Sequence, residues 1–248
     1  MRRYWIQPQY LTDTEAQIEG DLFHHIVDVC RLQEGDKFEL LPGNGKAFLV
    51  RLGPLSKKRA KATVLETRDI QPLRRPYIHL CLSVPRFQKL ETILEKAVEL
   101  GVHEVIPFVS DFSFVRTLGG PLTEKRGRWL KIIQSATEQS GRGEVMQLAE
   151  AATLKEVFER FNQQTNAAGL FPYEGEGDVG IKEALGAISS PSDLWIFVGS
   201  EGGFSHKEVE FFRSGGLKPV TLGPQVLRVE TACLALVSVL KYHFDLMK

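Results

Sequence analysis

Two similar stretches near the carboxyl end decide the fold. Residues 194–205 read LWIFVGSEGGFS, and residues 219–231 read PVTLGPQVLRVET. Each is a short apolar run followed by a loop that opens with glycine, which is the pattern of a strand entering a loop. A helix follows each loop: Ser205 and Glu208 form a capping-box pattern, and the second helix continues through apolar residues to about Tyr242. The sequence therefore predicts two strand–loop–helix units in tandem.

Loops at the carboxyl ends of strands are where open α/β sheets bind ligands, so the two loops predict one site with two walls. The first loop is neither a G-x-G-x-x-G nor a Walker sequence, and the Glu201 carboxylate inside it would repel phosphate. A neutral or cationic ligand held by backbone groups fits better, and a nucleotide hydrolase is disfavoured. Alternatively, these glycines only make tight turns.

Strand and helix patterns also alternate in the preceding residues. Capping-box residues Thr153 and Glu156 predict a helix that continues through Phe161. Such alternation is typical of a mainly parallel sheet covered on both faces. The predicted strands are residues 77–84, 102–109 and 167–172, and the other predicted helices are residues 89–100, 123–140 and 181–187.

The amino-terminal part has a different pattern. Residues 37–41 and 46–52 flank the turn Pro42-Gly43-Asn44-Gly45, which predicts a hairpin, and residues 60–65 predict another strand. A short helix after Asp21 should bury Leu22, Ile26 and Val29 on one face. Short strands with Gly/Pro turns indicate a small barrel. Because the proline-bracketed segment 71–76 reads as a linker, we expect domains at residues 1–72 and 73–248.

Composition limits the class of protein. The chain has 248 residues and no net charge, and Cys30, Cys81 and Cys233 lack metal-site spacing. We therefore expect reduced thiols, no metal and no membrane span, in a cytoplasmic protein. Basic residues cluster in residues 51–61 and 116–131. Such runs suit a polyanion, although any single run is more often a solvated loop or helix face.

Four motifs resemble those of one known family. They are residues 199–205 with Glu208, residues 222–232, the helix from Lys89 to Gly101, and the EQSGR sequence at residues 138–142. In this order they are similar to motifs of the RsmE family, which are SPOUT-class enzymes that transfer a methyl group from S-adenosylmethionine to N3 of a uridine in 16S rRNA. The resemblance extends from His25 to the carboxyl end. Ser200, Gln225 and Gly143 depart from the motifs, so any charge-dependent role of the position of Gln225 is in doubt.

The resemblance implies an α/β protein with a SPOUT-type knotted, mainly parallel sheet domain and an N-terminal PUA-like β-barrel that binds RNA. The knot is expected only from the resemblance, because chains rarely thread loops. It also implies a homodimer with the site near the interface and the small ribosomal subunit as substrate. The last helix agrees, since it is apolar over most of its circumference and must be buried on more than one side.

The uridine N3 proton must leave before or during transfer, and negative charge then spreads over the base carbonyl oxygens. An arginine beside those oxygens would favour the anion, and a carboxylate could take the proton. The motifs offer as catalytic candidates Arg228, Glu230, Arg142 and Glu138. The resemblance implies contacts to S-adenosylmethionine from Leu170, Phe171, Gly199, Glu201, Gly202, Leu222, Gly223, Val226 and Leu227. The candidates for RNA binding are His25, Arg31, Lys57, Lys58, Arg59 and Arg126.

Each candidate has a plainer alternative. Glu230 could simply favour the start of the last helix, and Arg228 could pair with Glu201 or Glu230 to hold the loops together. Leu170 and Phe171 have the residue types of ordinary core. For the whole chain, the alternatives are an RNA-binding or ribosome-assembly factor without catalysis, and a methyltransferase of the same class acting at another RNA site.

Overall fold

The computed structural model describes residues 1–174 and 179–247. Contacts between residues group this chain into two compact units. Unit 1 contains Met1–Pro72 and Gln134–Val145, and unit 2 contains Leu73–Ile133 and Met146–Lys248. Among the described residues, no helix is long and apolar enough to cross a membrane.

Unit 1 is built on a curled five-stranded sheet, a half-barrel with strand order β1-β3-β4-β5-β2. Its strands are β1 (Arg3–Trp5), β2 (Glu15–Glu19), β3 (Lys37–Leu41), β4 (Lys46–Ser56) and β5 (Arg59–Asp69). A 3-10 turn (Pro8–Tyr10), helix α1 (Gly20–Phe23) and a π-helix (His24–Val29) complete Met1–Pro72. The predicted hairpin is present as β3 and β4, which pair antiparallel, and β4 and β5 continue beyond their predicted ends.

The expected helical face after Asp21 is only partly correct. Ile26 is fully buried and Leu22 is half-buried, but Val29 is 57% exposed. The reason is that His24–Val29 is a π-helix, in which the hydrogen-bonded turn contains one residue more than in an α-helix. Spacing based on the α-helical period therefore places Val29 on the wrong side.

Unit 2 alternates strands and helices as predicted, with additional two-residue strands. Its strands are β6 (Tyr77–Ser83), β7 (Glu104–Val109), β8 (Gln147–Leu148), β9 (Ala152–Thr153), β10 (Ala167–Pro172), β11 (Val179–Gly180), β12 (Asp193–Val198) and β13 (Pro219–Thr221). Its helices are α2 (Phe87–Glu99), α4 (Leu154–Asn162), α5 (Ile181–Gly186), α6 (His206–Ser214) and α7 (Val229–His243), and the helix Pro121–Ser140, called α3, continues into unit 1.

The order of the strands determines where the loops meet. The sheet runs β11-β13-β10-β12-β6-β7-β8, with β9 also paired to β7. All of these pairs are parallel. Strand β10 therefore lies between β12 and β13, and the carboxyl ends of these three strands meet at one edge.

Both predicted capping boxes are present. The Thr153 hydroxyl accepts a bond from the Glu156 amide at the start of α4. The Ser205 hydroxyl does the same for Glu208 at the start of α6, and the Glu208 carboxylate bonds the Ser205 amide in return. These bonds satisfy amides that have no partner inside a helix, and so they fix where each loop ends.

A buried charged cluster joins the amino ends of three central strands. His79 Nδ1 lies 3.0 Å from Glu104 Oε2, and His79 Nε2 lies 2.9 Å from Asp193 Oδ1. Arg160 binds both oxygens of Glu104, at 3.0 and 2.7 Å. The imidazole also stacks on Trp195, with ring centroids 4.7 Å apart. The cluster ties α4 to the sheet at the edge opposite the glycine loops.

Burial alone would raise the pKa of Glu104, but bonds from His79 and Arg160 hold it below its ordinary value of 4.5. Burial likewise opposes the bonds from Ser192 and His79 that hold the pKa of Asp193 below 3.8. Each carboxylate therefore contributes stability that is present above its unfolded pKa and is lost as the pH falls through its folded pKa.

We expect Glu104→Gln to lower the free energy of unfolding by about 3–5 kcal/mol at neutral pH, because Arg160 loses its buried partner. The difference from the parent should shrink as the pH falls below about 4.5, since the parent carboxylate is then protonated as well. Urea unfolding followed by tryptophan fluorescence at several pH values measures this. A difference that stayed constant down to the acid limit of folding would contradict the assigned role.

Candidate functional site

A cavity of about 460 Å³ lies where the three strand ends meet. Its walls come from the end of β10, the loop after β12 and the loop after β13, with Lys89 from α2. The lining residues are Lys89, Pro172–Glu174, Val198–Phe204, Val220–Gly223, Gln225–Val229 and Ala232. The two glycine-opened loops thus face a single cavity.

The first loop, residues 199–204, is a tight turn in which the backbone lies against itself. The amide of Gly203 donates to the Ser200 carbonyl at 2.9 Å, and Gly203 has φ +69°. A Cβ on Gly199 would lie 2.7 Å from the Gly203 carbonyl carbon. Because that obstacle is backbone, it cannot rotate away, and only glycine fits at residue 199.

The second loop, residues 222–228, is more open. Thr221 and Gly223 exchange hydrogen bonds of 3.2 Å through the threonine hydroxyl, and Gly223 has φ +120°. Beyond this turn, Val226 is 79% exposed although it lines the cavity. The loop therefore presents apolar surface that only a ligand or another protein surface could cover.

Lys89 links both walls of the cavity. Its ammonium nitrogen lies 3.8 Å from Glu201 Oε1 and 3.4 Å from Glu230 Oε2. Glu201 also accepts a bond from the Arg86 amide at 3.2 Å. The first loop, the start of α2 and the start of α7 are held together by this group of charges.

Arg228 does not form the ion pair with Glu201 or Glu230 that the sequence left open as an alternative. Within the part of the chain that the structure describes, its guanidinium forms no ion pair with Glu201, Glu230 or any other group. It is exposed and lines the cavity as the last residue before α7. A guanidinium at this position can donate hydrogen bonds to an anionic or carbonyl group of a ligand.

Most residues predicted to contact the cofactor line the cavity. These are Gly199, Glu201, Gly202, Leu222, Gly223, Val226 and Leu227. Leu170 and Phe171 do not, because their side chains are 5% and 0% exposed and Phe171 belongs to the core. The three residues that follow them, Pro172–Glu174, line the cavity instead.

Sequence reasoning did not assign Tyr173, Glu174 or Lys89 to the site. The position of Tyr173 and Glu174 directly after a buried strand was an available signal, since carboxyl ends of strands bind ligands. Lys89 opens one of the four motifs, but its residue type alone suggested only the exposed first turn of a helix, and its two carboxylate partners are brought to it by the fold.

Glu138 and Arg142 belong to unit 1 and are absent from the cavity wall. Glu138 accepts a bond from the Trp5 amide at 3.0 Å and so holds β1 in place. Burial lowers the pKa of Arg142 to about 10, against the neighbouring Glu144 carboxylate, which raises it. Glu230 lies at the first turn of α7, where it contacts Lys89 but does not line the cavity.

The RNA-binding candidates of unit 1 are all on its surface. His25 and Arg31 are exposed around the π-helix, and Lys57, Lys58 and Arg59 surround the exposed turn between β4 and β5. Arg126 lies in unit 2 and donates to the carbonyls of Leu148 and Ala149 at 2.7 and 3.0 Å. The hydrogen-bond donors of Arg126 therefore already bind backbone carbonyls, whereas Lys57 and Lys58 of the hairpin are exposed and accessible to RNA.

Residues 1–174 and 179–247 contain no cluster of three or more histidine, cysteine, aspartate or glutamate side chains that could hold a metal ion. Cys30, Cys81 and Cys233 are free thiols. Burial raises the pKa of Cys81 and of Cys233, so these two thiols are unreactive core residues.

Comparison with known proteins gives the class first. Residues 72–241 match the family model of an RNA methyltransferase domain, and residues 18–65 match that of the RNA methyltransferase PUA domain. The chain is thus an RNA methyltransferase with a SPOUT-type α/β domain and a PUA domain.

Relatives define the particular family. The chain is 32% identical to ribosomal RNA small subunit methyltransferase E of Bacillus subtilis, over 100% of this chain and 99% of the relative. The crystal structure of that enzyme from Neisseria gonorrhoeae bound to S-adenosyl methionine is similar with a TM-score of 0.84 at 28% identity, covering 98% of this chain and 97% of the other. A probable rRNA-methyltransferase from Porphyromonas gingivalis gives a TM-score of 0.82 at 26% identity, with 100% of both chains covered. This chain belongs to the ribosomal RNA small subunit methyltransferase E family.

The close packing of the backbone in the first loop can be tested by measuring how a substitution changes the stability of the protein. Gly199→Ala should lower the free energy of unfolding by about 1–3 kcal/mol, because the methyl group would overlap the Gly203 backbone. The matched control is Gly127→Ala in α3, where a Cβ meets nothing within 4 Å. The control should be neutral or stabilising by about 0.5–1 kcal/mol. Equal thermal melting of the parent and Gly199→Ala would show that the turn has room to spare.

Proposed function

We propose that the protein transfers the methyl group of S-adenosylmethionine to N3 of a uridine in 16S rRNA of the small ribosomal subunit. The observation that carries the proposal is the single cavity formed by both glycine loops, in a chain whose family relative binds S-adenosyl methionine. The proposed substrate also places the enzyme in the cytoplasm. The C-terminal trefoil knot and the domain boundary at residue 72 stay predictions.

The residues of the cavity fit the cofactor. The volume of about 460 Å³ falls within the range of ordinary small-molecule sites. Gly199, Gly202 and Gly223 leave backbone groups open to a ligand, and Val226 and Leu227 provide apolar surface. Glu174 and Glu201 carry negative charge suited to a cationic ligand. When bound, S-adenosylmethionine supplies an electrophilic methyl group on a positively charged sulfur.

Arg228 is the residue that we assign to the reacting base. Loss of the N3 proton leaves negative charge on the uridine carbonyl oxygens. The Arg228 guanidinium, which forms no ion pair with any residue that the structure describes, can stabilise that charge. Glu201 and Glu230 already face Lys89. Neither carboxylate is therefore assigned as the base that takes the uridine proton.

We assign binding of the ribosomal RNA to unit 1. His25, Arg31, Lys57, Lys58 and Arg59 are exposed there, and Lys57 and Lys58 stand at the tip of the β4–β5 hairpin. Exposed lysines and arginines suit contacts to phosphate, which position an RNA without reading its sequence.

We also propose that the enzyme is a homodimer through α7. One face of this 15-residue helix is buried, with Cys233, Leu236, Val237 and Leu240 in the core. The other face carries half-buried Leu234 and Val239 and ends at Tyr242, which is 80% exposed. A second copy of the helix would cover this apolar face.

Transfer is tested with small ribosomal subunits from a strain that lacks the gene, using labelled S-adenosylmethionine and mass spectrometry of the rRNA. The parent should add one methyl group to a uridine at N3. Arg228→Ala should reduce transfer by at least about a hundredfold while cofactor affinity, measured by calorimetry, stays near the parent value. Arg213→Ala, which changes an exposed arginine of α6, is the control. Cofactor binding without transfer by the parent would favour a non-catalytic assembly factor.

The dimer is tested by light scattering. The parent should have the mass of two 27.9 kDa chains, and Leu234→Glu should shift it toward one, because the carboxylate would be buried at the interface. Met247→Glu introduces the same charge at an exposed residue beyond the end of α7 and should leave the mass unchanged. A parent with the mass of one chain would contradict the proposed dimer.

A further inference from the structure

The segment from Ser110 to Phe114 has an inverted polarity. Ser110 and Ser113 are buried, at 7% and 3% exposure, whereas Phe112 and Phe114 are 45% and 55% exposed. Buried polar groups and exposed large apolar groups are the informative exceptions to ordinary burial. Both exceptions occur here within five consecutive residues.

Hydrogen bonds prevent the phenylalanines from turning inward. The hydroxyls of Ser83, Ser110 and Ser113 lie within 2.6 to 3.2 Å of one another beneath the segment. The Phe114 amide donates to the Val84 carbonyl at 2.9 Å, and the Asp111 amide donates to Glu208 at 2.9 Å. The backbone is therefore fixed on both sides of Phe112, and its ring stays on the surface.

Phe112 adjoins the cavity through the first glycine loop. The Ser200 hydroxyl donates to the Phe112 carbonyl at 2.6 Å, and a Cβ on Gly202 would lie 2.9 Å from Phe112 Cβ. Ser200 and Gly202 both line the cavity. Ser200 is also a position where this chain departs from the motif that it resembles, and a proline there could not donate this bond.

Phe114 lies against the start of α2. Its ring meets Phe87 edge-on, with centroids 5.5 Å apart. Phe87 begins the helix that carries Lys89 into the cavity. Phe112 thus adjoins the cavity wall through the first loop, and Phe114, two residues further along the same segment, lies against the start of α2.

Two arginines lie next to these rings in sequence: Arg86 directly precedes Phe87, and Arg116 follows Phe114 by two residues. Arg86 and Arg116 are exposed, and neither side chain forms an ion pair among residues 1–174 and 179–247. Arg86 precedes α2 and holds Glu201 only through its backbone amide. Exposed aromatic rings together with unpaired arginines are the combination that binds single-stranded nucleic acid, because the rings stack on bases and the cations meet phosphates.

Given the proposed function, we infer that Phe112 and Phe114, with Arg86 and Arg116, form a stacking platform that holds an unpaired base of the RNA beside the methyl-transfer cavity. The occupant is RNA rather than a second copy of the chain, since the unpaired arginines complement phosphate. A target base must leave its stack before its N3 edge is accessible, and a ring at the cavity border can replace the stacking that it loses.

The test compares Phe112→Ala, Phe112→Leu and Phe112→Trp with the parent. We expect kcat/KM for small ribosomal subunits to fall about tenfold or more in the alanine and leucine variants, because both lose an aromatic face. Tryptophan should keep the parent value. Cofactor affinity and dimer mass should be unchanged in all three variants. Leu130→Ala removes an apolar side chain of similar exposure, 43%, from α3 and is the control.

A direct readout of stacking uses a single-stranded RNA oligonucleotide that contains 2-aminopurine. Its fluorescence should be quenched on binding to the parent and to Phe112→Trp, but not on binding to Phe112→Leu. Parent activity in the leucine variant, or a change of dimer mass in the alanine variant with kcat/KM for RNA unaltered, would overturn the inference. Failure of the parent itself to transfer a methyl group would instead overturn the proposed function.

Discussion

The parallel pairing of β10 between β12 and β13 is the constraint on which the site depends. Parallel neighbours end at the same edge of a sheet, so the two glycine loops must leave β12 and β13 side by side, with Pro172–Glu174 between them. The buried His79–Glu104–Asp193 cluster joins the opposite ends of β6, β7 and β12. Ion pairs and hydrogen bonds thus join the strands at their amino ends. At the carboxyl ends, the glycines leave backbone groups accessible to a ligand.

The glycines and Lys89 perform different tasks at that open edge. Gly199 lets the first loop fold against its own backbone, where a Cβ would meet the Gly203 carbonyl carbon at 2.7 Å. Lys89 then joins this loop to the start of α7 through Glu201 and Glu230. Because these ion pairs are 3.8 and 3.4 Å long, they are looser than ordinary charge-assisted hydrogen bonds. The glycines therefore shape the first loop, and Lys89 joins it to the start of α7.

Periodicity and capping patterns were sufficient to predict the main elements of unit 2, because these have regular apolar spacing and their caps use local residues, as at Thr153 and Ser205. The two-residue strands were too short to leave such a pattern. The predicted burial of Val29 was wrong because this segment is a π-helix, and one extra residue per turn is not visible in the amino-acid composition. The motifs include the loop residues that line the cavity, whereas Leu170 and Phe171 are buried in the core, and cofactor contact by any of them stays a prediction. Lys89 lines the cavity but was not assigned to the site. Its partners are distant in sequence, and only the fold brings them together.

In the segment Ser110–Phe114, hydrogen bonds rather than side-chain hydrophobicity determine which side chains are exposed. Phenylalanine side chains are more often buried than serine side chains. The fold reverses this, because the three hydroxyls satisfy one another beneath the segment and Ser200 holds Phe112 from the side. Both rings are exposed to water, and Phe112 adjoins the cavity wall, so their apolar surface is buried only when a flat partner covers it. A nucleic-acid base meets that requirement with its ring face. Arg86 and Arg116, which form no ion pair within residues 1–174 and 179–247, can bind the phosphates attached to it.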